Sequence, residues 1–220
     1  MDTKRDTKIA LVTGASRGLG AALAERLAVS GWHVVALGRT MGALEELDDR
    51  IKAKGGTATL AALDITKDDA MRHLCRDIHE RWGHLDLWVH TAIHAPPMSP
   101  ADHVALKDWD KCVAINIRAT GFLIPMVAPL LHAAPSRATA LFVDDPAATG
   151  KFMGAYGASK AAQMALARSW QAETVRTGPR VLIETAAPMP TGTRARFHPG
   201  EDKTTLTPCA TEAERLAALI

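Results

Sequence analysis

Short apolar runs alternate with longer amphipathic stretches along most of this chain. The runs Lys8–Thr13, Trp32–Gly38, Thr57–Leu63, Leu85–Thr91, Ala138–Val143 and Arg180–Thr185 read as strands. Between and after them, Gly18–Ser30, Met41–Lys54, Lys67–Arg81, a stretch around Leu106–Leu131 and Gly154–Thr177 carry helical periodicity, and a short helix, Thr211–Leu219, follows. Strands that are apolar throughout, rather than alternating, are buried on both faces. The pattern therefore predicts an α/β fold, a doubly wound parallel sheet of six strands covered by helices on both sides. Ligands of such sheets sit at the carboxyl ends of the strands. The stretch Ala187–Thr207, rich in Pro, Gly, Thr and charge, is expected to be a mobile loop over that site.

Length and composition narrow the class. At 220 residues and 47% hydrophobic, the chain suits one domain spanning 1–220 with a substantial core. A net charge of +2, with basic residues dispersed among acidic ones, gives no reason to expect a nucleic-acid partner. Cys75, Cys112 and Cys209 are widely spaced and contain no CxxC, so neither a disulfide framework nor a zinc site is indicated. They fit reduced cytosolic thiols. The polar N-terminus, Met1–Lys8, lacks the apolar core of a secretory signal, and no later segment reads as long and apolar enough to span a bilayer. The expectation is a cytoplasmic protein without a membrane partner. His90 and His94 are four apart, but Ala95-Pro-Pro97 argues against a helix there and no third ligand matches, so no metal is expected. Trp82, Trp88, Trp109 and Trp170 read as core or interface residues.

Two segments carry candidate chemistry. Thr13-Gly-Ala-Ser-Arg-Gly-Leu-Gly20 lies between the first strand and the first helix. Gly14, Gly18 and Gly20 let the backbone approach a pyrophosphate. The free N–H groups of Ser16, Arg17 and Leu19 and the positive end of the helix dipole would face its charge. Tyr156-Gly-Ala-Ser-Lys160 opens the long helix, and its spacing puts phenol and ammonium on one face, a turn apart. An adjacent ammonium would lower the tyrosine pKa from its usual ~10 toward the physiological range, as proton exchange with a carbonyl oxygen requires.

With these two motifs in this order, the sequence resembles the short-chain dehydrogenase/reductase family over nearly its whole length. The resemblance implies a Rossmann-like domain binding NAD(P)(H) and a small carbonyl or alcohol substrate. Tyr156 would be the general acid/base, and Lys160 would hold the nicotinamide ribose and depress the tyrosine pKa. Asn116 would anchor a water in the proton relay. Asp64 with Ile65 after the third strand, Thr91 and Ala92 after the fourth, and Pro188 and Thr193 after the sixth would line the cofactor. A homo-oligomer is implied, a dimer through the helices around Asn116 and Tyr156. Cofactor choice can also be argued physically. The second strand ends Ala36-Leu-Gly-Arg-Thr40, with no carboxylate for the ribose hydroxyls, whereas Arg39, beside Thr40 and joined by Arg17, can bind a 2′-phosphate. NADP(H) is the expected cofactor.

The chain departs from the family pattern in four places. Where a serine normally ends the fifth strand, the segment reads Phe142-Val-Asp-Asp-Pro-Ala-Ala-Thr-Gly150, with Asp145, or alternatively Asp144, at the serine position. An ionised carboxylate only accepts hydrogen bonds, and its charge opposes a tyrosinate. Protonated, Asp145 could donate to a carbonyl; ionised, it could hold an alcohol or a cationic substrate. Thr149 lies too close to Tyr156 in sequence to replace the serine without remodelling the loop. The family's Asn-Ala-Gly appears as Thr91-Ala-Ile93, so weaker cofactor binding or a displaced loop is expected. Pro188-Met-Pro-Thr-Gly-Thr193 replaces the usual Pro-Gly pair. The family's seventh strand is missing, which would leave the sixth as an edge. Two readings stay open: an NADP(H)-dependent oxidoreductase, or a catalytically impaired NADP(H)-binding or scaffolding protein of the same fold.

Overall fold

A computed structural model describes residues 7–220, so most of the N-terminal segment lies outside the described residues. Six strands form one sheet in the order β3-β2-β1-β4-β5-β6: β1 Ile9–Thr13, β2 His33–Gly38, β3 Thr57–Ala62, β4 Leu87–His90, β5 Thr139–Asp144 and β6 Arg180–Thr185. All pairings are parallel, with Leu11 opposite Val35 and Trp88, and Phe142 opposite His90 and Ile183. The strand order changes direction at β1, whose neighbours are β2 and β4, and the crevice at their carboxyl ends is where such sheets hold ligands. β6 is an edge, as expected.

Alternation along each strand feeds two cores. Ile9 and Leu11, with Val35, Trp88 and Phe142, face α3 (Asp68–Trp82), α5 (Ala119–His132) and α6 (Gly154–Glu173). Ala10, Val12, Ala36, Val89 and Leu141 face α1 (Gly18–Val29), α2 (Met41–Ala53) and α8 (Cys209–Ala217). Burial on both faces is why the strands are apolar throughout. Trp88 and Trp170 are core residues, edge-on or tilted to Phe142.

The helix expected around Leu106–Leu131 is more complex. α4 (Leu106–Cys112) continues through a π-helical segment, Val113–Arg118, into α5, giving an uninterrupted run Leu106–His132. Contrary to the sequence expectation, this run is long and apolar enough to cross a membrane, with a mean hydropathy of 1.5 over its most apolar window. The periodic reading underestimated it because charges near its start, Lys107 to Lys111, break the apolar pattern. In the fold it covers the sheet: Leu123, Val127 and Leu130 are buried, and Arg118 pairs with Asp68 of α3 at 2.6 Å.

The segment Ala187–Thr207 is a second correction. It contains α7 (Gly192–Phe197) and a 3₁₀ turn, Lys203–Thr205. Thr191 Oγ1 caps α7 by accepting from the Arg194 N–H at 3.2 Å, and Arg194 forks onto Glu201 at 2.7 and 2.6 Å. Phe197 is buried, and Arg196 donates to the Ala95 carbonyl. Prolines and glycines marked this stretch as loop, but its anchors lie far away in sequence. α8 secures the entrance to it: buried Glu212 accepts from the Ala187 N–H at 3.1 Å and from Arg215 at 2.7 Å, while Arg215 also donates to the Thr185 carbonyl.

Candidate active site

The glycine turn brings backbone segments into the close approach that its sequence predicts. Gly14 has φ +89°, and a Cβ there would stand 2.7 Å from the Ala92 backbone nitrogen; a Cβ on Gly20 would collide with the Gly14 carbonyl and Thr91 Oγ1. The N–H groups of Gly14 and Ala15 are both held by the Leu37 carbonyl at 2.9 Å, which ties the turn to β2. α1 then begins with no side-chain cap and no acidic residue in its first turn, so its leading N–H groups and dipole are left for an anion. Backbone approach, free donors and absent acid together fit a dinucleotide pyrophosphate.

These residues line a cavity of about 630 Å³ that runs to the second motif. Its wall includes Gly14, Ser16, Arg17, Gly18, Leu19, Gly20, Arg39, Asp64, Ile65, Thr91, Ala92, Pro188, Thr193, Asp145, Tyr156 and Lys160. Thr40 and Asn116 do not line it. Thr40 is the exposed residue preceding α2, and Asn116 is fully buried in the π segment. Asp64 Oδ1 accepts from the Thr66 N–H and hydroxyl, both at 2.9 Å, so it shapes the loop after β3.

Asp145, not Asp144, meets the tyrosine. Asp144 is the last residue of β5 and pairs with Arg168 at 2.7 Å. Asp145 opens the following turn, and its Oδ2 accepts from the Tyr156 hydroxyl at 3.0 Å. Gly157 makes this possible: any side chain at that position would strike the Ala148 carbonyl and push the turn off α6. Thr149 points elsewhere, bonding the Pro146 carbonyl at 3.2 Å on the surface.

The electrostatics reverse one expectation. Burial, reinforced by the charge of Asp145 and by their hydrogen bond, raises the Tyr156 pKa instead of lowering it. Lys160 is one turn away but turned aside: its Nζ donates to the Val143 carbonyl and to Gln163 Oε1 at 2.7 Å. Burial lowers its pKa to about 8, against the opposing pull of Asp144 and Asp145.

Behind the lysine runs a buried polar chain that sequence inspection missed. Gln163 Nε2 donates to Thr120 Oγ1 at 3.0 Å, and the Thr120 hydroxyl donates to the Asn116 carbonyl at 2.9 Å. His90 Nε2 lies 3.0 Å from Thr120 Oγ1 and Nδ1 lies 2.7 Å from Thr13 Oγ1. With the Thr120 proton committed, a neutral His90 carries its proton on Nε2, and Nδ1 accepts from the Thr13 hydroxyl at 2.7 Å in place of that hydroxyl's longer bond to the Val89 carbonyl at 3.2 Å. Complete burial, with the charge of Lys160, pushes its pKa down to about 3. Both ring nitrogens are thus engaged by hydroxyls. The Asn116 side chain is likewise committed: Oδ1 accepts from the His94 N–H at 2.7 Å, and Nδ2 donates to the His94 carbonyl and Ser159 Oγ, both at 2.9 Å. It pins the loop after β4 to α6.

Ile93 ends up in an apolar corner with Ala95, Ala148, Met153, Tyr156 and Phe197, and the Phe197 and Tyr156 rings lie 4.9 Å apart. The side chain that replaces the family's glycine is accommodated by packing under α7.

The strand order, glycine cradle and Tyr156–Lys160 turn now stand together, and the short chain dehydrogenase family model matches residues 8–203. The chain belongs to the short-chain dehydrogenase family. It is 28% identical over 178 residues to an uncharacterized oxidoreductase of Staphylococcus epidermidis, covering 79% of this chain and 74% of that one. It is 29% identical to dehydrogenase/reductase SDR family member 4 of Bos taurus, covering 80% and 63%. Among solved structures, a short chain dehydrogenase from Pseudomonas syringae superposes with a TM-score of 0.88 at 28% identity, covering 96% and 87%. One from Shigella flexneri complexed with NADP does so at 0.85 and 27%, covering 92% and 86%. Oxidoreductase chemistry with a nicotinamide cofactor is what this membership brings.

Proposed function

We propose that this short-chain dehydrogenase is an NADP(H)-dependent oxidoreductase acting on a carbonyl or alcohol group, with Tyr156 as its general acid/base. The observation that carries this reading is the single cavity joining the α1 phosphate cradle to the Tyr156 hydroxyl. Bound NADP(H) would supply hydride chemistry at its nicotinamide. Arg17 and Arg39 are exposed at the cavity rim, and neither has a carboxylate partner among the described residues, which suits a 2′-phosphate. Thr91, Ala92, Pro188 and Thr193 would flank the nicotinamide end. Tyr156, a neutral phenol whose pKa is raised further by burial, holds a proton that it can pass to a substrate oxygen once it leaves Asp145. Lys160, close to half-charged near pH 8, would turn from Gln163 toward the ribose.

The domain would work in the cytoplasm as a homodimer. Support for the dimer is the apolar exposure of Leu106 and Trp109 on α4 and Leu166 on α6, the helices that flank Asn116 and Tyr156.

NADPH oxidation over a panel of aldehydes and ketones tests the reading. Tyr156→Phe should cut turnover by ~10²–10⁴-fold while NADPH fluorescence titration stays unchanged. Unchanged turnover in that variant sinks the mechanism. One observation favours the second reading, NADP(H) binding without efficient turnover: the only proton of Tyr156 is already given to Asp145 at 3.0 Å. On that reading the native chain binds NADPH without oxidising it, and Asp145→Ser gains activity.

A further inference from the structure

Among the described residues, Asp145 is a carboxylate hydrogen-bonded by neutral donors alone. Its Oδ1 accepts from the Ala147 N–H at 3.2 Å and its Oδ2 from the Tyr156 hydroxyl at 3.0 Å. A carboxylate has about four acceptor directions, so each oxygen keeps one open. Lys160 and Arg194 feel its charge from across the site, but their own hydrogen bonds go elsewhere. Arg168 is on Asp144 at 2.7 Å, Arg194 forks onto Glu201, and Lys160 is held by Val143 and Gln163. Among the described residues, none forms a salt bridge with Asp145. The carboxylate lines the cavity beside Ile93, Met153 and Phe197, an apolar wall that strengthens any charge pairing made against it.

We propose that the substrate carries, next to the carbonyl or alcohol group that meets Tyr156, a positively charged nitrogen that pairs with Asp145, as in a protonated amino ketone or amino alcohol. This rests on the oxidoreductase reading for where the substrate lies and for the group that meets Tyr156. A carbonyl or alkoxide oxygen placed against Asp145 would face a second acceptor, and the one hydroxyl proton that could bridge them is already shared with Asp145. An N–H⁺ group satisfies the open lone pair of Asp145, leaves the Tyr156 proton in place and supplies a directly bonded counter-charge. Charge-assisted hydrogen bonds of this kind are about twice as strong as neutral ones. Ile93, Met153 and Phe197 then select an apolar substituent next to the nitrogen.

Calorimetric titration of the full chain at pH 7 with benzylammonium chloride and with benzyl alcohol tests this, each with and without NADP⁺. The native protein should bind the cation at least about tenfold more tightly than the alcohol, and Asp145→Asn should bring the two within about twofold. Equal affinities in the native chain, no detectable binding of the amine, or a preference that survives in Asp145→Asn would each overturn the proposal. NADPH fluorescence titration and thermal melting of the same variants separate the outcomes. A folded Asp145→Asn that binds NADPH normally but loses amine preference supports the proposal. Failure of native NADPH binding counts against the cofactor reading alone.

Discussion

At Tyr156 the decisive neighbour is eleven residues back in the chain rather than four residues ahead. Spacing alone pairs the phenol with Lys160; folding pairs it with Asp145, and burial, reinforced by the charge of that half-buried carboxylate, raises the phenol's pKa. His90 shows the same reweighting. As a lone histidine near His94 it invited a metal reading, yet between Thr13 and Thr120 it is a neutral hydrogen-bonding hinge with a pKa of about 3. Its pKa is depressed on folding, so as pH falls from 6.5 toward 3 the unfolded chain takes up a proton that the native one refuses, and stability is lost across that window. His90→Asn should flatten the acid limb of a urea-unfolding series by about one proton, roughly 1.4 kcal/mol per pH unit. An unchanged slope would show that His90 is not the group responsible. Arg39 belongs to the same scale. Arg39→Asp should invert the preference for NADPH over NADH in a fluorescence titration, and an unaltered preference would remove Arg39 from cofactor choice.

At the scale of elements, strand, turn and helix act as one part. Gly20 has no room for even a methyl group between the Gly14 carbonyl and Thr91 Oγ1, because α1 is pressed against the exit of β4. Gly20→Ala should therefore cost about 1–3 kcal/mol by overpacking and displace the N-terminus of α1 from the phosphate position. Urea unfolding would show the first effect, and weakened NADPH binding the second. Gly157 serves the other end of the cavity in the same way, letting the turn after β5 rest on α6 so that Asp145 reaches Tyr156. The π segment is the least legible element from sequence. It stands inside a continuous helix and turns Asn116 inward onto the His94 backbone, a choice made by contacts with α6 and the β4 loop rather than by residue propensity.

At the scale of the molecule, one apolar helix surface remains. The run Leu106–His132 is only one-third buried over its most apolar window, and Leu166 of α6 lies beside Gly121 on it. A homodimer that covers this face should sediment at twice 23.5 kDa. Leu166→Glu should shift the protein to the monomer, since an uncompensated charge in an interface core is strongly disfavoured. A native monomer at all concentrations would dismiss the dimer.

What the sequence determined by itself is whatever is encoded locally. Apolar runs such as Ile9–Val12 must be buried on both faces, so they announce a parallel sheet. Glycines at Gly14 and Gly20 announce close backbone approach, and the four-residue step from Tyr156 to Lys160 announces a shared helix face. The family resemblance and the strand count follow from these. Only the tertiary structure decided the rest, because those features depend on distant partners. Arg196 reaches the Ala95 carbonyl and Phe197 reaches Tyr156, turning a Pro- and Gly-rich stretch into a docked helix. Gln163 and Thr120 draw Lys160 away from the tyrosine. Asp145, one of two adjacent aspartates in sequence, becomes the one facing Tyr156 because the strand ends at Asp144 and the chain turns there. Periodicity reports which face a residue occupies. It carries no information about which charge will meet it across the cavity, and at this site burial together with that charge raises the pKa of the tyrosine.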